Sequence, residues 1–288
     1  SVLKALTTTS TDAITMTVNA EAASAATAAG DLVSLNGNTN QIITMTAVSS
    51  VSGSYADLLD IYVTNKTQYT GIGDETVTIV GTVSATQADA IADVTSGVVT
   101  ATIDADTASA LNAALSDAQV NAYTLTISAG SAVATDLTSL DSKTSVAVNA
   151  AAVTVITGSA TEVAAAYAAN PTTGITGLGN ENVTITGTTV ATLAELKAIN
   201  NATSGTLTLN AQSISADYSG LVVDVKDAFA GITTQTGKIT LTDTSVSVAD
   251  INAVAPVTSG VVTATITSGA ASVLKALTTT STDAITMT

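Results

Sequence analysis

ATQADAIADVTSGVVTATI, residues 85–103, is the stretch on which the reading of the whole chain turns. Its last five residues, Val99 to Ile103, alternate apolar and hydroxyl side chains. Val99, Ala101 and Ile103 would point one way and Thr100 and Thr102 the other, as in a strand with one buried face. The preceding segment, residues 85–97, opens beside residues suited to cap a helix N-terminus and closes on Thr95-Ser96-Gly97, a turn. Strand, capped short helix, glycine turn and strand again is a unit that cannot bury its apolar face alone.

The same unit recurs along the chain. Strand-like segments with Thr between aliphatic residues stand at 14–17, 43–46, 77–79, 99–103, 123–127, 183–186, 206–209, 239–242, 262–266 and 285–288, with a degenerate copy at 145–148. Most are separated by 22 to 24 residues, and the exceptions by 29, 34, 37 and 34. Helical segments fall between them at 106–118, 191–205, 247–260 and 269–283, with apolar pairs such as Leu111 and Leu115, or Leu193, Leu196 and Ile199, on one side. At two or three turns each, such helices are stable only when docked. SVLKALTTTSTDAITMT occurs twice without a difference, at 1–17 and at 272–288, an offset of 271 residues.

These spacings predict a repeat solenoid: a parallel β-sheet stack with a short helix in each coil, of α/β- or β-solenoid type, about ten coils per 271-residue block. Residues 1–271 would be one block and 272–288 the start of the next. Two long segments, 50–79 and 156–185, match each other and end on GIGDETVTI and GLGNENVTI. A third, 210–231, holds Tyr218 and the only phenylalanine, Phe229. Bulky residues gathered in long coils suit bulges that need a small core of their own.

Composition narrows the function. The chain has 288 residues, seven Lys, no Arg, 23 Asp plus Glu and a net charge of −16, the wrong sign for a nucleic-acid partner. No run of eighteen apolar residues is present, so no membrane insertion is expected. Aromatic residues make up 2% and Thr accounts for 56 positions, which predicts a thin, regular core faced with hydroxyls. Without Cys there are no disulfides, and backbone ladders must stabilise the fold.

Without His, Cys or Arg there is no ordinary nucleophile–base pair and no bidentate anion clamp, so no enzyme activity is expected. Carboxylate pairs remain, Asp104 with Asp106 and Asp74 with Glu75, a pattern that hydrolyses glycosides when an aromatic platform accompanies it. None does, and these residues read as caps and turn solvation. Calcium is the one cofactor with a candidate site: Asp74, Glu75, Asn180 and Glu181 supply oxygens in glycine-rich turns where carbonyls could join. The competing reading is that GIGDE and GLGNE are tight turns whose glycines supply positive φ.

Residues 156–209, with the TSGVVTATI relatives at 95–103 and 258–266, resemble the repeats of very large extracellular proteins of cyanobacteria and other marine bacteria. The resemblance implies a secreted or cell-surface protein of a kind often exported by a type I route and often calcium-associated; the nonapeptide calcium repeat of such proteins is absent here.

Neither copy of the seventeen-residue repeat reads as a polar cap, so Ile14, Met16, Ile285 and Met287 are expected to be assembly residues. The expected function is structural: an extracellular filament, sheath or surface-layer element at the cell surface, built by end-to-end continuation of the solenoid, with further copies of itself as partners. The alternative is a giant adhesin or phage fibre binding surface glycans through Tyr55, Tyr62, Tyr69 and Tyr167 of the long segments.

Overall fold

The computed structural model describes residues 7–21, 25–116, 118–169 and 174–287. In chain order the strands are β1 (Met16–Thr17), β2 (Thr27–Ala28), β3 (Ile43–Thr44), β4 (Ser50–Gly53), β5 (Tyr69–Thr70), β6 (Thr76–Val83), β7 (Val99–Ile103), β8 (Ala122–Thr124) and β9 (Gly130–Val133). There follow β10 (Val148–Asn149), β11 (Val153–Gly158), β12 (Ile175–Thr176), β13 (Asn182–Ile185), β14 (Leu207–Thr208), β15 (Tyr218–Gly220), β16 (Ile239–Leu241), β17 (Val262–Ile266) and β18 (Ala284–Met287). Among the described residues eleven α-helices lie between them.

The chain forms two compact units. The first, Ser1–Ser128 with Ser139–Ala150 and Pro171–Thr176, carries three parallel sheets ordered β1-β3-β5, β2-β4-β6-β7-β8 and β10-β12. The second, Ala129–Thr138 with Ala151–Asn170 and Gly177–Thr288, carries two, β14-β13-β11-β9 and β15-β16-β17-β18.

This corrects the fold expected from the sequence. The molecule is a parallel α/β fold of five small sheets and not a ten-coil α/β- or β-solenoid. The reason lies in the unequal segments. Counting Thr-bearing strands assigns one strand to each period, but the chain makes further strands that lack the Thr signature: SVSG in β4 and YSG in β15 within long segments, and GSAV in β9 within a period of ordinary length. Between β3 and β6 the chain makes both β4 and β5, and these enter different sheets. The Thr-bearing strands are thereby divided among all five sheets.

In the central strands the local expectations are met. In β7, Val99, Ala101 and Ile103 are buried and Thr100 and Thr102 exposed. Val51 lies opposite Val77 and Val77 opposite Val99, an inner aliphatic row, while Ser52, Thr78 and Thr100 form the adjoining outer row. Ile156 and Val183 form a matching buried row in the second unit, with the half-buried Leu207 opposite Val183 at its end. Each such buried aliphatic side chain contributes about 1.5–3 kcal/mol. Tyr218 and Phe229 pack edge to face with centroids 5.0 Å apart, the local core expected of the third long segment.

The helices start where the caps predict. Ser84 and Gln87, Ser159 and Glu162, and Thr192 and Glu195 each satisfy two helix N–H groups reciprocally, ahead of the helices Ala85–Ala92, Ala160–Ala168 and Leu193–Ala202. Leu196 and Ile199 of the last are fully buried, so the docked face stabilises what an isolated ten-residue helix could not.

The Thr-Ser-Gly turns are clamps. Thr95 Oγ1 accepts from Gly97 N at 3.1 Å and donates to the Glu75 carbonyl at 2.8 Å. Thr203 does the same with Gly205 N at 2.9 Å and Glu181 O at 2.6 Å, and Thr258 with Gly260 N at 2.8 Å and Gly237 O at 2.7 Å. All three threonines are buried. Thr39 joins the Gln41 N–H to the carbonyls of Asp12 and Ile14, and Thr144 joins the Val146 N–H to the Tyr123 carbonyl, in the same manner. The glycines serve approach: a Cβ on Gly97 would meet the Glu75 carbonyl, and one on Gly205 the Glu181 carbonyl. Gly205→Ala is therefore expected to destabilise by about 1–3 kcal/mol or more. Gly269→Ala, with open space around the added methyl, should change stability by less than about 0.5 kcal/mol. Urea unfolding of the two variants beside the parent measures both.

Candidate functional site

The most elaborate polar arrangement stands where the duplicated GIGDE and GLGNE loops meet the Thr-Ser-Gly turns. In the first unit, Glu75 is 1% exposed. Its Oε2 accepts from the Tyr62 hydroxyl at 3.1 Å and from Gly73 N at 2.8 Å, while Oε1 is buried without a hydrogen bond. Ser96 closes the loop by donating its N–H to the Gly73 carbonyl at 2.7 Å, beside the Thr95 clamp on Glu75.

The second unit repeats this arrangement. Glu181 is fully buried, its Oε2 accepts from the Tyr167 hydroxyl at 3.0 Å, and Gly179 N reaches both carboxylate oxygens at 2.9 Å. Ser204 N donates to the Gly179 carbonyl at 2.9 Å, and Thr203 clamps the Glu181 carbonyl. Gly73 and Gly179 hold φ of 110° and 141°, so the positive-φ reading of these loops is met.

Each loop therefore turns its two oxygen-bearing side chains apart. Glu75 and Glu181 point inward and are held by donors from their own chain, while Asp74 and Asn180 are exposed. Among the described residues no group of three or more His, Cys, Asp or Glu is placed to share a metal ion. A phenol, a glycine N–H and a buried carboxylate form a lock between segments far apart in sequence. Asp104 and Asp106 are exposed, and Asp106 Oδ1 accepts from Thr107 N at 2.7 Å, the local turn role expected of it.

Of the tyrosines offered for surface recognition, Tyr62 and Tyr69 are buried, the latter donating to the Leu32 carbonyl at 3.2 Å. They are packing residues. Tyr55 and Tyr167 are half-buried. The sequence signal for these locks was the duplicated Tyr and Glu in matching segments. What it did not carry was the side-chain direction, because both types are usually partly exposed.

The repeat copies are placed unequally. Met16 is buried under its sheet and Ile14 half-buried, whereas Ile285 is half-buried and Met287 is 60% exposed. The strand expected to end at Thr288 is described to Met287; Thr288 itself and residues 1–6 lie outside the described residues. No helix among the described residues is long and apolar enough to cross a membrane.

Burial pushes the Tyr62 phenol well above its ordinary value, helped by the charge and hydrogen bond of Glu75 and the charge of Asp74. Burial raises Tyr69 too, with Asp60 adding, and raises Tyr167 against an opposing hydrogen bond from Thr203, with Glu181 adding. Above about pH 10 the unfolded chain then holds fewer protons than the folded one. The stabilisation from these groups is whole below about pH 10 and falls as pH rises past it, by roughly 1.4 kcal/mol per pH unit for each tyrosine. Urea titrations from about pH 9 to about pH 11 should show this decline, with a shallower slope in Tyr62→Phe and Tyr167→Phe.

No family model matches the chain, and no curated protein and no solved structure shows significant similarity to it.

Proposed function

We propose that this chain is a structural extracellular protein, a building element of a sheath or surface layer in which 271-residue blocks recur. The observation that carries this reading is the recurrence of seventeen residues without a single difference at that offset. Chance does not produce such identity, and a block that recurs suits an array built of like units.

The distribution of polar chemistry supports the same reading. The buried hydroxyls of Thr39, Thr95, Thr144, Thr203 and Thr258, and the locks Tyr62–Glu75 and Tyr167–Glu181, join one segment of backbone to another. Thr100 and Thr102 of β7 and the carboxylates of Asp74, Asp104 and Asp106 face water, beside exposed aliphatic residues such as Val80 and Val120. A net charge of −16 keeps copies soluble and apart until specific pairing or divalent cations draw them together. The resemblance of residues 156–209 to repeats of giant marine bacterial surface proteins supports the extracellular placement.

Antibody raised against the chain should label the outside of intact cells that produce it, and limited proteolysis of that surface material should give a ladder with steps of one block. Labelling confined to the cell interior would overturn the placement, and fragments without block spacing would overturn the array.

A further inference from the structure

The two copies of the repeat make the same turn at residues 9–12 and 280–283 and then pair with their neighbours on opposite edges. In the first, Thr9 N donates to Asp12 Oδ2 at 2.7 Å, the Thr9 and Thr11 hydroxyls lie 2.8 Å apart, and Asp12 N donates to the Thr9 carbonyl. The second repeats each bond at Thr280, Thr282 and Asp283, with 2.7 Å for both Thr280 N to Asp283 Oδ2 and the hydroxyl pair.

Their partners differ. The first copy is joined to the chain that follows it: Thr39 Oγ1 donates to the Asp12 and Ile14 carbonyls at 3.1 and 2.7 Å, Asn40 N donates to the Asp12 carbonyl at 3.0 Å, and β1 pairs β3 with Met16 opposite Ile43. The second is joined to the chain that precedes it. Val262 N donates to Asp283 Oδ1 at 2.8 Å, and β18 pairs β17 with Ala264 opposite Ile285 and Ile266 opposite Met287.

That aspartate contact has an internal counterpart: Val99, the equivalent of Val262 in TSGVVTATI, donates its N–H to Asn121 Oδ1 at 2.9 Å. The equivalent Oδ1 of Asp12 takes no strand N–H among the described residues, because β1 is the edge of its sheet. Each copy thus displays one half of a two-sided environment.

We propose that β17 of one molecule and residues 9–17 of a second copy of this chain form a head-to-tail junction. The incoming copy takes the place of residues 280–288, with its Asp12 Oδ1 accepting the Val262 N–H and its Ile14 lying opposite Ala264. Sequence identity makes the replacement isosteric, and the incoming strand keeps its own β3 on the other edge. The sheet then runs from one molecule into the next. This rests on the structural reading above and names its partner and joint.

The test uses the whole chain, which has no native cysteine. Paired residues on adjacent strands lie within disulfide reach. Ala264→Cys with Ile285→Cys should close within one molecule, which verifies that the β17 edge is formed. Ala264→Cys with Ile14→Cys should instead give disulfide-linked multimers on a non-reducing gel, in amounts that rise with concentration. Asp283→Ala, which weakens the resident strand, should increase them, and Asp12→Ala should lower them about tenfold or more, as expected for losing a charged acceptor. Multimers absent even in the Asp283→Ala background, or undiminished by Asp12→Ala, would overturn the junction. So would a disulfide confined to single molecules. Block-spaced fragments from native surface material with no multimers here would overturn this joint alone and leave the structural reading standing.

Discussion

A buried threonine hydroxyl that accepts an N–H two residues ahead and donates to the carbonyl of an earlier strand segment is the interaction on which the rest of this molecule depends. Thr39, Thr95, Thr144, Thr203 and Thr258 all make it. It satisfies two backbone groups at the entry to a strand, where an unpaired donor or acceptor would cost about 1–3 kcal/mol. It also fixes which earlier carbonyl the new strand starts beside, and so sets register. With few aromatic residues and no disulfides, the chain has few other means of choosing one parallel register over its neighbours.

The clamp explains two features of sequence at once. Glycine follows at the second position in 95–97, 203–205 and 258–260 because the backbones approach too closely for a Cβ. Hydroxyl and carboxylate chemistry then lies inside the fold, where it joins segments. In the two long segments the clamp is reinforced by a tyrosine reaching a buried glutamate, so the GIGDE and GLGNE loops, the helices before them and the strands after them close on one point. The duplication of that lock in both units is a record of its structural value.

Much of this was legible at short range. The alternation of Val99 to Ile103 gave the buried and exposed faces of β7, and Ser84, Thr192 and Ser247 marked helix starts. The global arrangement was not legible, because it depends on strands without a signature. SVSG, GSAV and YSG are short, and their small residues carry little periodic signal. Their presence divides the expected single stack into five sheets. Side-chain direction in the loops was hidden for a related reason: Glu75 and Glu181 are buried by a tyrosine 13 or 14 residues earlier and a turn whose threonine lies 20 or 22 residues later, partners that local reading does not connect.

Amide hydrogen exchange at Gly97, Gly205 and Gly260 tests the clamp most directly. If threonine hydroxyls hold these N–H groups at the strand entries, the three amides exchange as slowly as the core strands, and Thr203→Val accelerates Gly205 far more than Gly97. Exchange at the rate of an open loop in the parent protein, or no change at Gly205 in the variant, would contradict the account.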